Sequence, residues 1–223
     1  PSLMAAAAHS GAELRFEASV GGAIPIVGPL QNDLLANDIM SIRAIINGTT
    51  NFILTKMAKE KMEFTSALTQ AQNLGYAERD PTDDVEGIDA AYKIAILASL
   101  AFHTEVAPEH VYTEGITTLE AEDFEFAHEL GYEIKLLAIA ERTKDGVQAR
   151  VHPALVHEES MLAKVEGAFN AVEVYGDLAG AIVFHGLGAG PAPTTSSLIG
   201  DLLTVARSGE PAALVRPREK LPF

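Results

Sequence analysis

The spacing of apolar positions changes several times along the chain, and each change marks an element. Ala5–Ala8 reads as helix. Residues 13–20 partly alternate polar and apolar and end at Gly21-Gly22, which predicts a strand running into a turn. Ile39, Met40, Ile42, Ile45 and Ile46 predict a buried strand over 38–46. Gly48-Thr49-Thr50-Asn51 follows, with a helix predicted from about 51 to 62 and Thr49 or Thr50 as its N-cap. Phe64–Leu74 predicts a second helix that stops at Gly75. Ile88, Ala91, Ile94, Leu97 and Ala101 recur at three- and four-residue steps, so one long helix is expected from about 82 to 103. Glu133–Glu141 and Val147–Val156 flank Lys144-Asp145-Gly146 and predict a hairpin. Two further strands, 170–175 and 181–185, join around Gly176-Asp177, and a last helix covers about 194–207.

Helices come first and strands cluster late. That order predicts an α+β fold with a mixed or antiparallel sheet and helices packed on one face. The tail from Ser208, with Pro211, Pro217 and Pro222, reads as a linker.

Composition narrows the function classes. Of the 223 residues, 31 are acidic and 16 basic, giving a formal charge of −15 that repels phosphate backbones and argues against nucleic-acid binding. No apolar run is long enough to span a membrane, so no membrane partner is expected. The start, Pro1-Ser2-Leu3-Met4, has no basic stretch of the secretory kind and no initiator methionine, which points to a fragment, an unrecorded start or processing. Cysteine is absent, which removes thiolate nucleophiles, disulfides and cysteine-held metals and fits a cytoplasmic protein. The seven histidines show no His-Glu-x-x-His spacing, and no Gly-x-Ser-x-Gly elbow is present.

The densest polar information lies in residues 75–93, Gly-Tyr-Ala-Glu-Arg-Asp-Pro-Thr-Asp-Asp-Val-Glu-Gly-Ile-Asp-Ala-Ala-Tyr-Lys. Asp89 and Lys93 are four apart and share a helix face. Glu78, Asp80, Asp83 and Asp84 sit just before or within a first helical turn. A lysine among carboxylates can move a proton, and carboxylates can hold a cationic amine. The same residues also admit a structural account. Asp80 before Pro81 makes a conventional helix cap, and an Asp–Lys pair at this spacing is commonly a solvated surface bridge.

The run just quoted resembles the signature of homoserine dehydrogenases. Three other segments agree in order and spacing: Phe16–Ile26 with its glutamate, glycine pair and proline; Asn47–Leu54; and Gly188-Ala189-Gly190 followed by Pro193-Thr194. The resemblance covers nearly all of residues 1–206 and implies the second, α+β domain of a two-domain dehydrogenase. It implies 1–206 as a catalytic and dimerisation domain, with 194–206 a helix returning to a nucleotide-binding domain and 207–223 a tail or linker. It implies Lys93 and Asp89 as catalytic. Glu78 then holds the substrate ammonium, with Asp84 a second candidate and Thr49 also at the substrate. Gly190 and Gly188 approach the cofactor, NADP or NAD. The implied substrate pair is homoserine and aspartate semialdehyde, and the implied assembly is a homodimer joined through the sheet. Glu17, Val20, Gly22 and Ile24 match a monovalent-cation site, commonly sodium, although a turn that merely needs glycine accounts for the same residues. Ala23 departs from the family pattern, where a third glycine is often found.

Two things expected of such an enzyme are missing. No strand, Gly-x-Gly-x-x-Gly turn and helix form a dinucleotide-binding unit. Gly186-Leu187-Gly188-Ala189-Gly190 precedes a helix and could approach a phosphate or a ribose, but its third spacing is wrong. The family's upstream Asn-Lys pair is also absent, since the first lysine is Lys56. An aspartate-semialdehyde enzyme, which shares this kind of second domain, needs a cysteine thioester and is set aside. The rival from another class is a non-catalytic dimerisation or amino-acid-binding module. It is distinguished by whether Glu78, Asp89 and Lys93 converge. The final helix carries Leu198, Leu202 and Val205 on one face, which predicts an exposed apolar patch where another domain would normally lie.

Overall fold

The computed structural model describes residues 2–207. Its elements in chain order are α1 (Ser2–Ser10), α2 (Val27–Gln31), β1 (Ile39–Ile45), α3 (Gly48–Glu60), α4 (Phe64–Asn73), α5 (Thr82–Val85) and α6 (Ile88–Phe102). They continue with β2 (Tyr112–Thr113), α7 (Ala121–Glu129), β3 (Tyr132–Thr143), β4 (Gly146–His157), β5 (Phe169–Gly176), β6 (Gly180–Leu187) and α8 (Pro191–Arg207). The tail predicted as a linker lies outside the described residues.

One six-stranded sheet runs β2-β4-β3-β1-β5-β6. Every pairing is antiparallel except that of the short edge strand β2, which runs parallel to β4, so the expected α+β class with a mixed sheet is met. The β3–β4 hairpin closes on Lys144-Asp145, with Thr143 opposite Gly146. Period-two alternation then divides the sheet. Ile42, Ala44, Leu136, Ala138, Ala140, Val172 and Val174 face the helices and pack with Ile53, Met57, Ile94 and Leu97 in the main core. Among the described residues no helix packs on the opposite face. There, Leu162, Ala163 and Val165 of the β4–β5 connection cover Ile45, Leu137, Ile139 and Ala171 in a smaller cluster.

Three expectations need correction. Residues 13–20 form no strand, because the Glu17 carboxylate turns back to accept backbone N–H groups from Ile26 (2.6 Å), Val27 (2.8 Å) and Gly28 (2.7 Å); Glu17–Ser19 is a short 3-10 turn. The helix after β1 begins at Gly48, not 51, and its cap is Asn47, whose side chain accepts from Thr50 N–H; neither Thr49 nor Thr50 is the cap. The helix expected over 82–103 is two pieces. Gly87, at φ +80°, breaks the backbone between the single turn α5 and α6, a conformation glycine adopts without the penalty a side chain would bring. That break lets Asp84 and Asp89 approach from different helices instead of lying along one. Gly75 does stop α4 as expected, with Tyr76 N–H donating to Ala71 carbonyl across the left-handed glycine. The helices α2 and α7 and the strand β2 were not foreseen.

Candidate active site

The polar cluster grows from the β1–α3 junction. At the end of β1 the chain passes Ile46 and enters α3 through Asn47, which is 5% exposed. Asn47 works in two directions. Its Oδ1 accepts from the backbone N–H (2.9 Å) and the hydroxyl (3.1 Å) of Thr50. Its Nδ2 donates to Asp84 Oδ1 at 2.6 Å and to Asp89 Oδ2 at 2.9 Å. Lys93, one turn after Asp89 on α6, donates to the same Asp89 Oδ2 at 2.7 Å and to the Ile46 carbonyl at 3.2 Å.

Asp84, Asp89 and Lys93 therefore meet around Asn47, whereas of the trio Glu78, Asp89 and Lys93 that was to separate the readings only Asp89 and Lys93 come together. The Lys93–Asp89 pair is not the fully solvated bridge that its spacing alone permitted, for the two side chains are 21% and 30% exposed. Both partners also have second bonds to the β1–α3 junction. An ammonium and a carboxylate held this way form a fixed proton-handling pair, open to a small molecule on one side.

The other expected site residues fall out differently. Thr49 is buried, and its hydroxyl donates to the Tyr76 carbonyl at 2.6 Å. It thereby fastens the 75–80 loop to α3, assisted by the Phe52–Tyr76 ring contact at 4.9 Å. Glu78 sits on that loop with its carbonyl accepting from Gln72 Nε2 at 3.1 Å, while its carboxylate is exposed and bonds none of the cluster. Asp80 is an exposed turn former whose carboxyl is held below its ordinary value by hydrogen bonds from the Thr82 hydroxyl and N–H.

The glycine loop 186–190 lies against the first glycine segment. Ala23 N–H donates to the Leu187 carbonyl at 3.2 Å, and a Cβ on Gly22 would come within 2.4 Å of Gly188 O. The start of α8 is poor in donors, since Pro191 and Pro193 carry no N–H and Thr194 N–H is already spent on Gly190 carbonyl. Ala192 supplies the one remaining N–H of that first turn, and side-chain-free backbone at Gly188 and Gly190 permits close approach of a ligand. Among the described residues no βαβ unit stands beside this loop. Two polar bonds tie α8 back to this region: Ser197 hydroxyl to Gly22 carbonyl (2.6 Å), and Glu17 N–H to Asp201 Oδ2 (2.9 Å).

Two of the residues matched to a cation site already have partners within the chain. Both Glu17 carboxylate oxygens are occupied by the three N–H groups that start α2, and Gly22 carbonyl takes the Ser197 hydroxyl. Among the described residues no group of three or more acidic or histidine side chains is placed to hold a metal. The Glu17 carboxylate therefore anchors the start of α2.

Sequence reasoning passed over Asn47 as a site residue, although it stood in a quoted motif. The available signal was an asparagine at a strand-to-helix junction followed by Gly-Thr-Thr, the pattern of a cap whose side chain faces inward. Asn170, buried beneath the same junction, gave no signal at all.

The family model for homoserine dehydrogenase matches residues 25–203. A homoserine dehydrogenase from Mycobacterium tuberculosis is 52% identical over 211 residues, covering 92% of this chain and 48% of the relative. One from Helicobacter pylori is 49% identical over 192 residues, covering 86% of this chain and 46% of the relative. The crystal structure of a homoserine dehydrogenase from Thiobacillus denitrificans superposes with a TM-score of 0.92 at 47% identity, over 96% of this chain and 50% of that one. A hyperthermophilic archaeal homoserine dehydrogenase in complex with NADPH gives 0.79 at 30% identity, over 93% of this chain and 60% of that one. The chain thus spans about half the length of the relatives it matches. On the matched residues and the shared fold, the chain belongs to the homoserine dehydrogenase family.

Proposed function

We propose that this chain is the substrate-side and catalytic part of an NADP- or NAD-dependent oxidoreductase that interconverts L-homoserine and L-aspartate 4-semialdehyde. The observation that carries the reading is the convergence of Asp84, Asp89 and Lys93 on Asn47. Residues 1–206 are the catalytic and dimerisation domain in this proposal, with 194–206 leading back to a nucleotide-binding domain.

In oxidation, the far-carbon hydroxyl of homoserine gives its proton to Lys93 Nζ, directly or through water, as the hydride leaves the same carbon. Bound nicotinamide dinucleotide supplies the hydride acceptor in that direction and the donor in reverse. In reduction, the Lys93 ammonium gives a proton to the aldehyde oxygen. Asp89 keeps the amine oriented and Asn47 keeps Asp89 oriented, so the proton moves along a fixed line. Glu78, whose carboxylate is free of intramolecular bonds, holds the substrate ammonium, with Asp84 as the second acceptor. Gly188 and Gly190 let the nicotinamide end approach without a side chain between. No step runs through a cation.

A homodimer is proposed through the helix-free face of the sheet, where Phe169 and Tyr175 are 43% and 49% exposed. The proposed location is the cytoplasm; no helix among the described residues is long and apolar enough to cross a membrane.

The test is homoserine-dependent reduction of NADP⁺ and NAD⁺ by the protein at its natural length, wild type against Lys93→Ala. Turnover abolished by the substitution is the expected result. A wild type inert toward homoserine would leave the amino-acid-binding module as the surviving reading.

A further inference from the structure

Asn170 stands in β5 on the helix-facing side, in register with Gly186 of β6 and two residues before Val172 of the core. It is 1% exposed, and its Oδ1 is buried with no donor among the described residues. A buried acceptor without a donor disfavours folding, and an apolar side chain of similar size would fill the space without that penalty. Packing alone therefore does not account for an amide here.

The surroundings give it an occupation. A Cβ on Gly188 would lie 1.9 Å from Asn170 Nδ2 and 2.1 Å from its Cγ, so the amide fills the room that a side chain at 188 would need. Gly188 is not among the glycines with positive φ, so this contact, and not backbone conformation, is what restricts the position to glycine. On its other side the amide reaches the amino end of α3, where a Cβ on Gly48 would lie 3.6 Å from Asn170 Oδ1 and 2.9 Å from Ala168 O. Gly48 directly follows Asn47. One flat amide thus sits between the loop that faces the nicotinamide and the junction that holds Asp84, Asp89 and, through Ile46, Lys93.

We propose that Asn170 is a positioning residue for the reaction: its amide is the spacer that fixes the glycine loop 186–190 at one height above the Asn47–Asp89–Lys93 cluster. The inference rests on the proposed reading of that loop as the cofactor-facing one. Hydride transfer is sensitive to such a separation, since a displacement of about 1 Å can cost about 100-fold in rate.

The experiment is a double-mutant cycle on the enzyme at its natural length. It reads the dissociation constant of the reduced dinucleotide by its fluorescence, together with kcat, the KM of homoserine and the melting temperature. Asn170→Ala should lower kcat about 10- to 100-fold while the KM of homoserine moves by less than about threefold. Gly188→Ala should raise the dinucleotide constant about tenfold or more, because the new methyl displaces the loop. In the Asn170→Ala background the same Gly188→Ala change should cost less than about threefold, because the amide it struck is gone.

Equal factors in both backgrounds would overturn the proposal. So would an Asn170→Ala enzyme with wild-type kcat, or losses that only follow the melting temperature. If Gly188→Ala alone does not fold, the double variant is expected to fold, and its failure to do so would overturn the proposal as well. A wild type that binds no dinucleotide would overturn the proposed function together with this inference. A wild type that binds and turns over normally, with an additive cycle, would overturn this inference alone.

Discussion

Replacing Asn47 tests the architecture of the site more directly than replacing Lys93, because Asn47 performs a structural and a chemical task with one amide. Asn47→Ala removes the cap of α3, worth about 1 kcal/mol. It also removes the donor to two partly buried carboxylates, where each bond to a charged group is worth about 1.5–3 kcal/mol before water returns to the exposed side. Asp89 is 30% exposed and recovers part of that solvation, so the net cost is about 2–4 kcal/mol. For a chain of this size that is a fall of roughly 5–12 °C in melting temperature.

Asn47→Asp separates the two tasks. Its carboxylate can still accept from Thr50 N–H and keep the cap, yet it stands at 2.6 and 2.9 Å from two other carboxylates where the amide donated. Like charges so close oppose ionisation, so the Asp variant should be least stable above neutral pH and recover as the pH falls and one of the three carboxyls takes a proton. The Ala variant should lack that recovery. The assay is thermal melting by circular dichroism between pH 5 and 9, alongside homoserine turnover at the natural length, where both variants should lose about 100-fold in kcat. An Asn47→Ala protein melting within about 1 °C of wild type, against the shift expected from cap loss alone, would refute the claim that this amide organises the cluster. An Asp variant as stable as wild type at pH 8 would do the same.

Four more outcomes are expected. Burial pushes the Lys135 ammonium below its ordinary 10.5, against the opposing pull of Glu133 and Glu166, so the unfolded chain holds that proton more tightly. Stability should therefore rise with pH over the window that ends near 10.5, by at most about 1.4 kcal/mol per pH unit, and urea unfolding of Lys135→Met should lack that rise. Glu17→Ala should cost about 2–4 kcal/mol by freeing three N–H groups at the start of α2. Exchanging sodium for tetramethylammonium at constant ionic strength should leave the wild-type melting temperature unchanged, and a sodium-dependent rise would restore the cation reading. Finally, the chain of residues 1–223 should bind more of a hydrophobic dye than the protein at its natural length, since Leu198, Ile199, Leu202 and Leu203 of α8 are each about half-exposed or more; equal binding would count against an uncovered α8.

What the sequence revealed follows from which interactions are local. The 133–156 hairpin was readable because its turn and both strands are contiguous and their alternation is set by one buried face. Asp89 and Lys93 were readable because an i,i+4 spacing on a helix is a distance. The misreadings share a different origin. Phe16-Glu17-Ala18 alternates like a strand, but Glu17 is committed to amides nine to eleven residues later, which period cannot express. The helix from 82 looked continuous because its apolar spacing resumes after Gly87, while the break depends on a packed glycine whose Cβ would meet Thr113 and Val151 at 3.2 Å. Asn47 and Asn170 stayed silent because their partners lie on other elements, and an asparagine in isolation reads only as a turn or a cap.

The donor count at Lys93 shows what the cluster can offer a substrate. An ammonium has three hydrogens; one goes to Asp89 and one to the Ile46 carbonyl, so a single donor direction remains. Asp89 Oδ2 takes both Lys93 and Asn47, which leaves its other oxygen and Asp84 Oδ2 as acceptors without a donor among the described residues. The cluster thus offers one outward hydrogen beside spare carboxylate oxygens, which suits a substrate carrying an alcohol or aldehyde at one end and an ammonium at the other. On the proposed reading, proton handling and substrate grip belong to these residues, and the bare backbone at Gly188 and Gly190 is where the flat end of the dinucleotide would approach.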